Sequence, residues 1–203
     1  MQALLKLSKA IDGLNTFVGR YVIWLILAAT AISGINAVIR KIFHYSSNAF
    51  LEVQWYLFAA SFLLAAGYAL LEKEHVKVDV VNSHLSVRTR AWIDVFGFIC
   101  FLGPMCAAVL YFGVPFFLQA YHSGEVSSNA GGLIRWPVYL MMPVGFALLA
   151  LQGVSELIKR IAFLAGLIDD PMTKHVEKTA EEELADAIRQ AEEQAAAQKA
   201  QHA

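Results

Sequence analysis

Charged residues are scarce in this sequence. They make up 16% of its 203 residues, while hydrophobic residues make up 58%; a soluble domain carries about 25% charged residues. The shortage falls on four stretches that hold no Asp, Glu, Lys or Arg, namely 21–39, 53–71, 95–124 and 136–155. This pattern is typical of a chain whose main solvent is lipid. The net charge of -1 gives no argument for a nucleic-acid partner.

The groups that catalysis, cofactors and metals require are also missing. Cys100 and Cys106 are six residues apart in an apolar run, on different faces of a helix, so we interpret them as packing residues rather than a disulfide. There is no nucleophile beside a base, no phosphate-binding loop and no metal-ligand cluster. The sequence therefore predicts no enzyme, no catalytic residue, no cofactor and no metal site.

A haem cytochrome is the first alternative for a small helical membrane protein. Binding haem through two histidines requires both of them inside the helices, facing the bundle. All six histidines lie outside the charge-free cores, at their margins or in the tail: His44, His75, His84, His122, His175 and His202. The sequence therefore argues against a haem site.

Each charge-free stretch is long enough to cross a bilayer as a helix. A helix rises 1.5 Å per residue, so about 20 apolar residues cross a hydrocarbon core of about 30 Å. The alternating segments of a membrane β-barrel are not seen. The predicted fold is an all-α membrane protein with a four-helix transmembrane domain over 21–165. Its helices are predicted at about 21–39, 53–71, 92–117 and 136–158. Pro104 should kink the third helix, and Pro137 fits the first turn of the fourth.

Two flanking segments differ from this domain. Residues 1–20 carry an apolar line at helical spacing, which predicts an amphipathic helix at the membrane interface, with packing on a partner as the alternative. That line consists of Leu4, Leu7, Ile11, Leu14 and Phe17. Residues 166–203 form an acidic tail rich in Ala and Glu, which we interpret as a solvated, partly frayed helix on the cytoplasmic side.

The Lys and Arg residues predict the orientation. Thirteen of the sixteen lie in the N-terminal segment, in the connection between the second and third helices, or after the fourth helix. Only Arg40, Lys41 and Arg135 belong to the opposite side. Because cytoplasmic loops are enriched in Lys and Arg, we expect both termini in the cytoplasm and membrane lipids as the surrounding partner.

Glu52 is the first candidate functional residue, since an acid within a membrane segment suggests a functional site. It stands at the start of the second helix, where the helix dipole favours its charge. Arg40 or Lys41, across a short loop, is its expected partner. We interpret it as a cap or interhelical anchor; a proton-coupling role, as in small multidrug exporters, is the alternative.

Two polar segments provide the remaining candidates. At the end of the second helix, His75 and Asp79 are four residues apart, but two lone ligands make a poor metal site. The loop 123–132 is small and polar, and Arg135, Trp136 and Pro137 then open the fourth helix as an interface anchor.

These segments resemble a known family. Glu52 at the start of the second helix, Gly67 and then His75-Val-Lys-Val-Asp79 resemble the signature of the small permease subunit (DctQ type) of TRAP, or tripartite ATP-independent periplasmic, transporters. The stretch from Ser123 through Trp136-Pro137 to Gln152 is similar to the final helix of the same family. The resemblance covers roughly residues 15–165.

The resemblance implies a function that composition alone does not. Such a subunit pairs with a large membrane subunit, which moves the substrate with sodium, and with a periplasmic substrate-binding protein, often for an organic acid, at the bacterial inner membrane. It implies that Glu52, Gly67, His75 and Asp79 are structural or subunit-contact positions. The periplasmic docking side would then include Glu125, Ser127, Ser128, Arg135 and Trp136.

Two other functions remain open from the residues. One is a self-contained, dimeric four-helix exporter that uses Glu52. The other is a membrane anchor subunit for a cytoplasmic partner, with the acidic tail as its contact.

Overall fold

A computed structural model describes residues 2–44, 47–72 and 85–168. The motif residues His75 and Asp79 lie outside the described residues, as does the predicted tail from residue 169 onward. The described part is almost entirely helical. Its only β-type pairing is an isolated antiparallel bridge between Val126 and Ile134.

Five α-helices and one π-helical turn make up the described chain. In chain order they are α1 (Gln2–Phe43), α2 (Asn48–Leu71), α3 (Val87–Gly97), the π-helical turn (Phe98–Leu102), α4 (Gly103–Ser123) and α5 (Trp136–Leu164). Since α3, the π turn and α4 run on without a break, there are four helical segments, each long and apolar enough to cross a membrane. The predicted all-α membrane fold with four transmembrane helices is confirmed.

The irregularity in the third segment lies beside Pro104. The sequence predicted a kink there, and the structure has the π turn Phe98–Leu102 directly before it. The Gly103 N–H donates to the Phe98 carbonyl, five residues back. A proline has no N–H to give to the preceding turn, and a single π turn is one way in which a helix absorbs such a break. Pro137 lies in the first turn of α5, as predicted.

Helices α1 and α2 form an antiparallel pair, and α5 packs against both. Glycines allow the closest approaches. Gly19 of α1 lies directly against the Tyr68 ring of α2, and Gly145 of α5 lies against the Leu63 backbone of α2. Helix α4 also packs on α5. Helix α5 is therefore in contact with every other helix of the bundle.

Most large apolar side chains point outward. Phe62, Tyr111 and Phe112 are each more than 70% exposed. The buried side chains, by contrast, include Asn15, Gln152 and other polar and charged residues. This distribution is the inverse of that in a soluble protein and fits a protein whose exterior is solvated by lipid.

Helix α1 has no break near residue 20. The segment predicted as a separate interfacial helix over 1–20 is continuous with the first membrane-crossing segment. Of its predicted apolar line, only Ile11 is buried, while Leu7 and Phe17 are 50% and 62% exposed. The buried side of these turns is polar instead, at Ser8 and Asn15.

Candidate functional site

Three side chains of α2 hold the loop between α4 and α5. Asn48, Glu52 and Tyr56 are four residues apart, so they share one face of the helix. Asn48 Nδ2 donates to the Ala130 carbonyl at 3.1 Å, and the Tyr56 hydroxyl donates to the Ile134 carbonyl at 3.3 Å. Glu52 lies between them. We call the end of the bundle that carries this loop the loop end.

Glu52 is the centre of this arrangement. It is 4% exposed, and its carboxylate accepts three hydrogen bonds from the loop. The donors are the Ser127 hydroxyl, Asn129 Nδ2 at 2.8 Å and the Leu133 backbone N–H at 2.7 Å. A buried carboxylate with three donors is stabilised as an anion without a full counterion.

The partners of Glu52 differ from those predicted. No ion pair joins it to Arg40 or Lys41, although all three residues are described. The predicted role was a cap or interhelical anchor at the start of the second helix; the contacts observed for Glu52 are instead to the loop between α4 and α5. Nothing in the sequence indicates that its partner is a loop 75 to 81 residues further along the chain.

A second contact closes the same loop at its base. Arg135 Nη1 lies 3.0 Å from Glu125 Oε1, and the Arg135 backbone N–H donates to the Glu125 carbonyl at 2.9 Å. Hydrogen bonds with Tyr139 and Glu125 raise the pKa of Arg135 above its ordinary value. Arg135 is therefore charged at every physiological pH. The Glu125–Arg135 pair is 35–41% exposed, so its strength is limited by solvent.

The predicted docking residues all lie at the loop end, but in different roles. Ser127 is turned inward to Glu52, whereas Ser128 is exposed. Trp136 packs against the rings of Phe117 and Tyr121 at the end of α4. Gly67, which shares the predicted motif with Glu52, lies at the opposite end of α2.

A second polar network lies at that opposite end, which we call the amino-terminal end. Ser8, Asp12 and Asn15 of α1 face α5. The Ser8 and Ser155 hydroxyls are 2.7 Å apart, Asn15 Nδ2 donates to Gln152 Oε1 at 2.9 Å, and Gln152 Nε2 donates to Asp12 Oδ1 at 2.9 Å. These bonds hold α1 to α5 through polar groups.

Ion pairs extend this network to a third helix. Lys159 Nζ lies 2.8 Å from Asp12 Oδ2 and 2.7 Å from Glu156 Oε1. Arg160 Nε donates to Asp94 Oδ2 of α3 at 3.0 Å, and Arg160 Nη2 lies 3.5 Å from Glu156 Oε2. Arg160 and Glu156 are each 2% exposed. Two cations of α5 thus bind acids from α1 and α3.

Sequence reasoning missed this network. Lys159 and Arg160 entered the prediction only through the orientation that Lys and Arg residues indicate, and Asp12 was not a candidate. One signal was present: α5 carries Gln152, Ser155, Glu156 and Lys159 at spacings of three and four residues, which is a polar stripe along an otherwise apolar helix.

The two networks hold helices and a loop together and do not form a site for catalysis or metal binding among the described residues. Within the described ranges, no group of three or more His, Cys, Asp or Glu is placed to hold a metal ion. The described membrane-crossing stretches between the networks carry no charged side chain. The arrangement can fix helices and a loop in place.

The comparisons with known proteins agree with this picture. The family model for the DctQ component of tripartite ATP-independent periplasmic transporters matches residues 29–163. This range lies inside the stretch over which the sequence resembles the family. No curated protein and no solved structure matches the chain. Since the family model covers more than half of the 203 residues, the chain belongs to the DctQ family and is a small membrane subunit of a TRAP transporter, not an enzyme.

Proposed function

We propose that this subunit braces the large, substrate-translocating membrane subunit and helps to dock a periplasmic substrate-binding protein. The transporter would take up an organic acid together with sodium across the inner membrane. The chain would have both termini in the cytoplasm and the loop end in the periplasm. The observation that carries the proposal is the attachment of the 127–134 loop to α2 through buried Glu52.

A preorganised docking surface binds its partner more tightly than a mobile one. Ordering a mobile loop on binding costs conformational entropy, whereas a preorganised loop does not incur that cost. Glu52, Asn48 and Tyr56 hold the loop by five hydrogen bonds. Ser128 remains exposed on it. The loop end therefore offers a partner a small, polar and fixed surface.

The bracing role rests on how the described helices are held. Their charged groups are confined to the two ends of the bundle, so the described membrane interior of this subunit offers no charged site to an anionic substrate or an ion. The bundle is held by close glycine contacts and by the α1–α5 network. Substrate and sodium would then bind to the large subunit, against which this one stays fixed.

Co-purification tests the assignment of partners. The chain, tagged and expressed with the other components of its transporter, should bring down the large subunit near one-to-one and capture the binding protein when it is supplied. Ser128→Arg should lower capture of the binding protein without loss of the large subunit. Lys41→Gln is the matched control, because Lys41 is exposed and lies at the end of α1 that belongs to the loop end. A homodimer with nothing attached would overturn the proposal.

Cysteine labelling tests the orientation. In a Cys100→Ala/Cys106→Ala background, Ser128→Cys should react with a membrane-impermeant maleimide added to the periplasmic side of intact cells. Lys9→Cys should react only after the membrane is opened. The reverse pattern would place the loop end in the cytoplasm and exclude docking of a periplasmic protein.

The two competing functions predict different results in a liposome transport assay and after deletion of the tail. A self-contained exporter would move solute in liposomes as the chain alone, and Glu52→Gln would stop it. A membrane anchor that acts through its tail would lose its partner when residues 169–203 are deleted. We expect no transport by the chain alone, and survival of the complex after the deletion.

A further inference from the structure

The first turns of α1 lie at the level where the bilayer meets water. Helix α2 has 24 residues, about 36 Å, so it is just long enough for the hydrocarbon core. Its last turns mark one membrane face. Gly67 and Tyr68 of α2 contact Asn15 and Gly19 of α1, so residue 15 of α1 lies near that face. The preceding turns of α1 therefore lie at or beyond the headgroups.

The polarity of these turns is the reverse of that of a helix on a soluble protein. Their polar side, Ser8 and Asn15, is buried against α5, and their outer side carries Leu7, Leu14 and Phe17, which are 43–62% exposed. In water this outer side would be unfavourable, since aliphatic and aromatic side chains are stabilised by leaving water. It continues the lipid-facing surface of the membrane-crossing part of α1, where Trp24 is 61% exposed.

Among the described residues, acids and bases differ in exposure. All six described acids are buried or partly buried: Asp12, Glu52, Glu72, Asp94, Glu125 and Glu156. Every described charged residue that is exposed is a base. At the amino-terminal end, the α1–α5 network keeps Asp12 and Glu156 turned towards Lys159. Among the described residues at this end, the outward charge is consequently positive.

The exposed bases of α1 form a stripe next to its apolar side. Lys6, Lys9 and Arg20 are all exposed. At about 100° per residue they fall within about 60° of one another around the helix. This stripe borders the side that carries Phe17 and Leu14. An apolar strip flanked by Lys and Arg is the arrangement of helices that lie in the headgroup layer of anionic membranes.

We propose that the amino-terminal turns of α1 are a binding surface for anionic phospholipid. Leu7, Leu14 and Phe17 enter the acyl boundary, and Lys6 and Lys9 bind the phosphate groups of the headgroups. Arg20, which lies further into the membrane than residue 15, reaches the headgroups with its long side chain. Each Lys or Arg near an anionic surface contributes about 1 kcal/mol, which is about fivefold in affinity. Three cations thus predict a preference for anionic over zwitterionic lipid of at least about tenfold. This inference does not depend on the proposed docking role.

Native mass spectrometry of the full chain in detergent tests the proposal. Phosphatidylglycerol and phosphatidylcholine with identical acyl chains are titrated in separate experiments, and bound lipid is counted. Wild type should retain phosphatidylglycerol at least about tenfold more strongly, and added salt should weaken this preference. Lys6→Gln/Lys9→Gln/Arg20→Gln should abolish the preference and leave phosphatidylcholine binding unchanged.

Two further variants keep the result decisive. Arg40→Gln/Lys41→Gln removes exposed bases at the loop end and should retain most of the preference. Lys6→Arg/Lys9→Arg keeps the charge and should match wild type, even if the triple variant does not fold. Equal binding of the two lipids by wild type would overturn the proposal. An equal loss in the loop-end variant would also overturn it, because it would show that any exposed base binds the lipid.

Discussion

Gly67 of α2 lies so close to Asn15 of α1 that a Cβ atom at position 67 would overlap Asn15 Oδ1 and come within 3.1 Å of the Leu148 carbonyl. Asn15 is fully buried, and its amide donates to Gln152 at 2.9 Å and to the Ile11 carbonyl at 3.3 Å. Three helices therefore meet at a glycine that the family resemblance had singled out.

Gly67→Ala should destabilise the bundle by about 1–3 kcal/mol, because the methyl group displaces Asn15 from its hydrogen bonds. Thermal unfolding in detergent measures the effect. Gly34→Ala is the matched control, since a Cβ there meets nothing within 4 Å and alanine favours the helix. Equal stability of the two variants would show that the Asn15 contact is dispensable.

Gly145→Ala should be more damaging than Gly67→Ala. A Cβ at position 145 would lie 2.5 Å from the Leu63 carbonyl oxygen and 2.8 Å from its carbon. These atoms belong to the α2 backbone, which cannot rotate away as a side chain does, so α2 and α5 must separate. We expect loss of folded protein on size-exclusion chromatography. A well-folded Gly145→Ala variant would contradict the close α2–α5 packing.

Glu52→Gln should loosen the loop. All three groups that bind the carboxylate donate hydrogen bonds to it, and glutamine replaces one of the two acceptor oxygens by an NH₂ donor. Hydrogen bonds to a charged group contribute about 1.5–3 kcal/mol each. Hydrogen exchange at the Leu133 amide should accelerate at least about tenfold. Glu125→Gln, which removes a half-exposed pair, should change that amide far less; an equal effect would mean that Glu52 is not the main anchor.

Arg160→Met should cost about 3 kcal/mol. The change removes a counterion from Asp94 and from Glu156, which is 2% exposed. Removing one partner of a buried ion pair is destabilising, although Glu156 keeps its pair with Lys159. Arg88→Met, at an exposed base of α3, should be nearly neutral. Adding Glu156→Gln to Arg160→Met should restore part of the loss. A double-mutant cycle in detergent measures this coupling, and strict additivity would contradict it.

The helices could be predicted from the sequence, but their ends could not. The charge-free stretch 53–71 marks the membrane-crossing part of α2, which begins earlier, at Asn48. The reason is physical: lipid excludes charge only within the hydrocarbon layer, whereas helical turns in the headgroups and in water accept it. The same holds for α5, which continues past the charge-free run through Lys159 and Arg160 to Leu164.

The candidate site was predicted in part. Glu52 stood out because an acid near the start of an apolar helix is rare, but its partners Asn129 and Leu133 are more than 75 residues away, and nothing in their local sequence indicates them. Asp12 and Lys159 were missed for the same reason. Their pairing depends on the antiparallel approach of α1 and α5, which hydropathy does not specify.

The contact between Ser8 and Ser155 joins residues 147 positions apart, and this separation affects the order of biogenesis. The first helix leaves the ribosome with Ser8, Asp12 and Asn15 on one side, and Ser155 is synthesised 147 residues after Ser8. Until α5 enters the membrane, the polar side of α1 lacks its hydrogen-bond partners Gln152 and Ser155. A chain truncated before α5 would keep this polar side of α1 exposed. Proteases of membrane quality control could use that exposed side to distinguish the truncated chain from the finished protein.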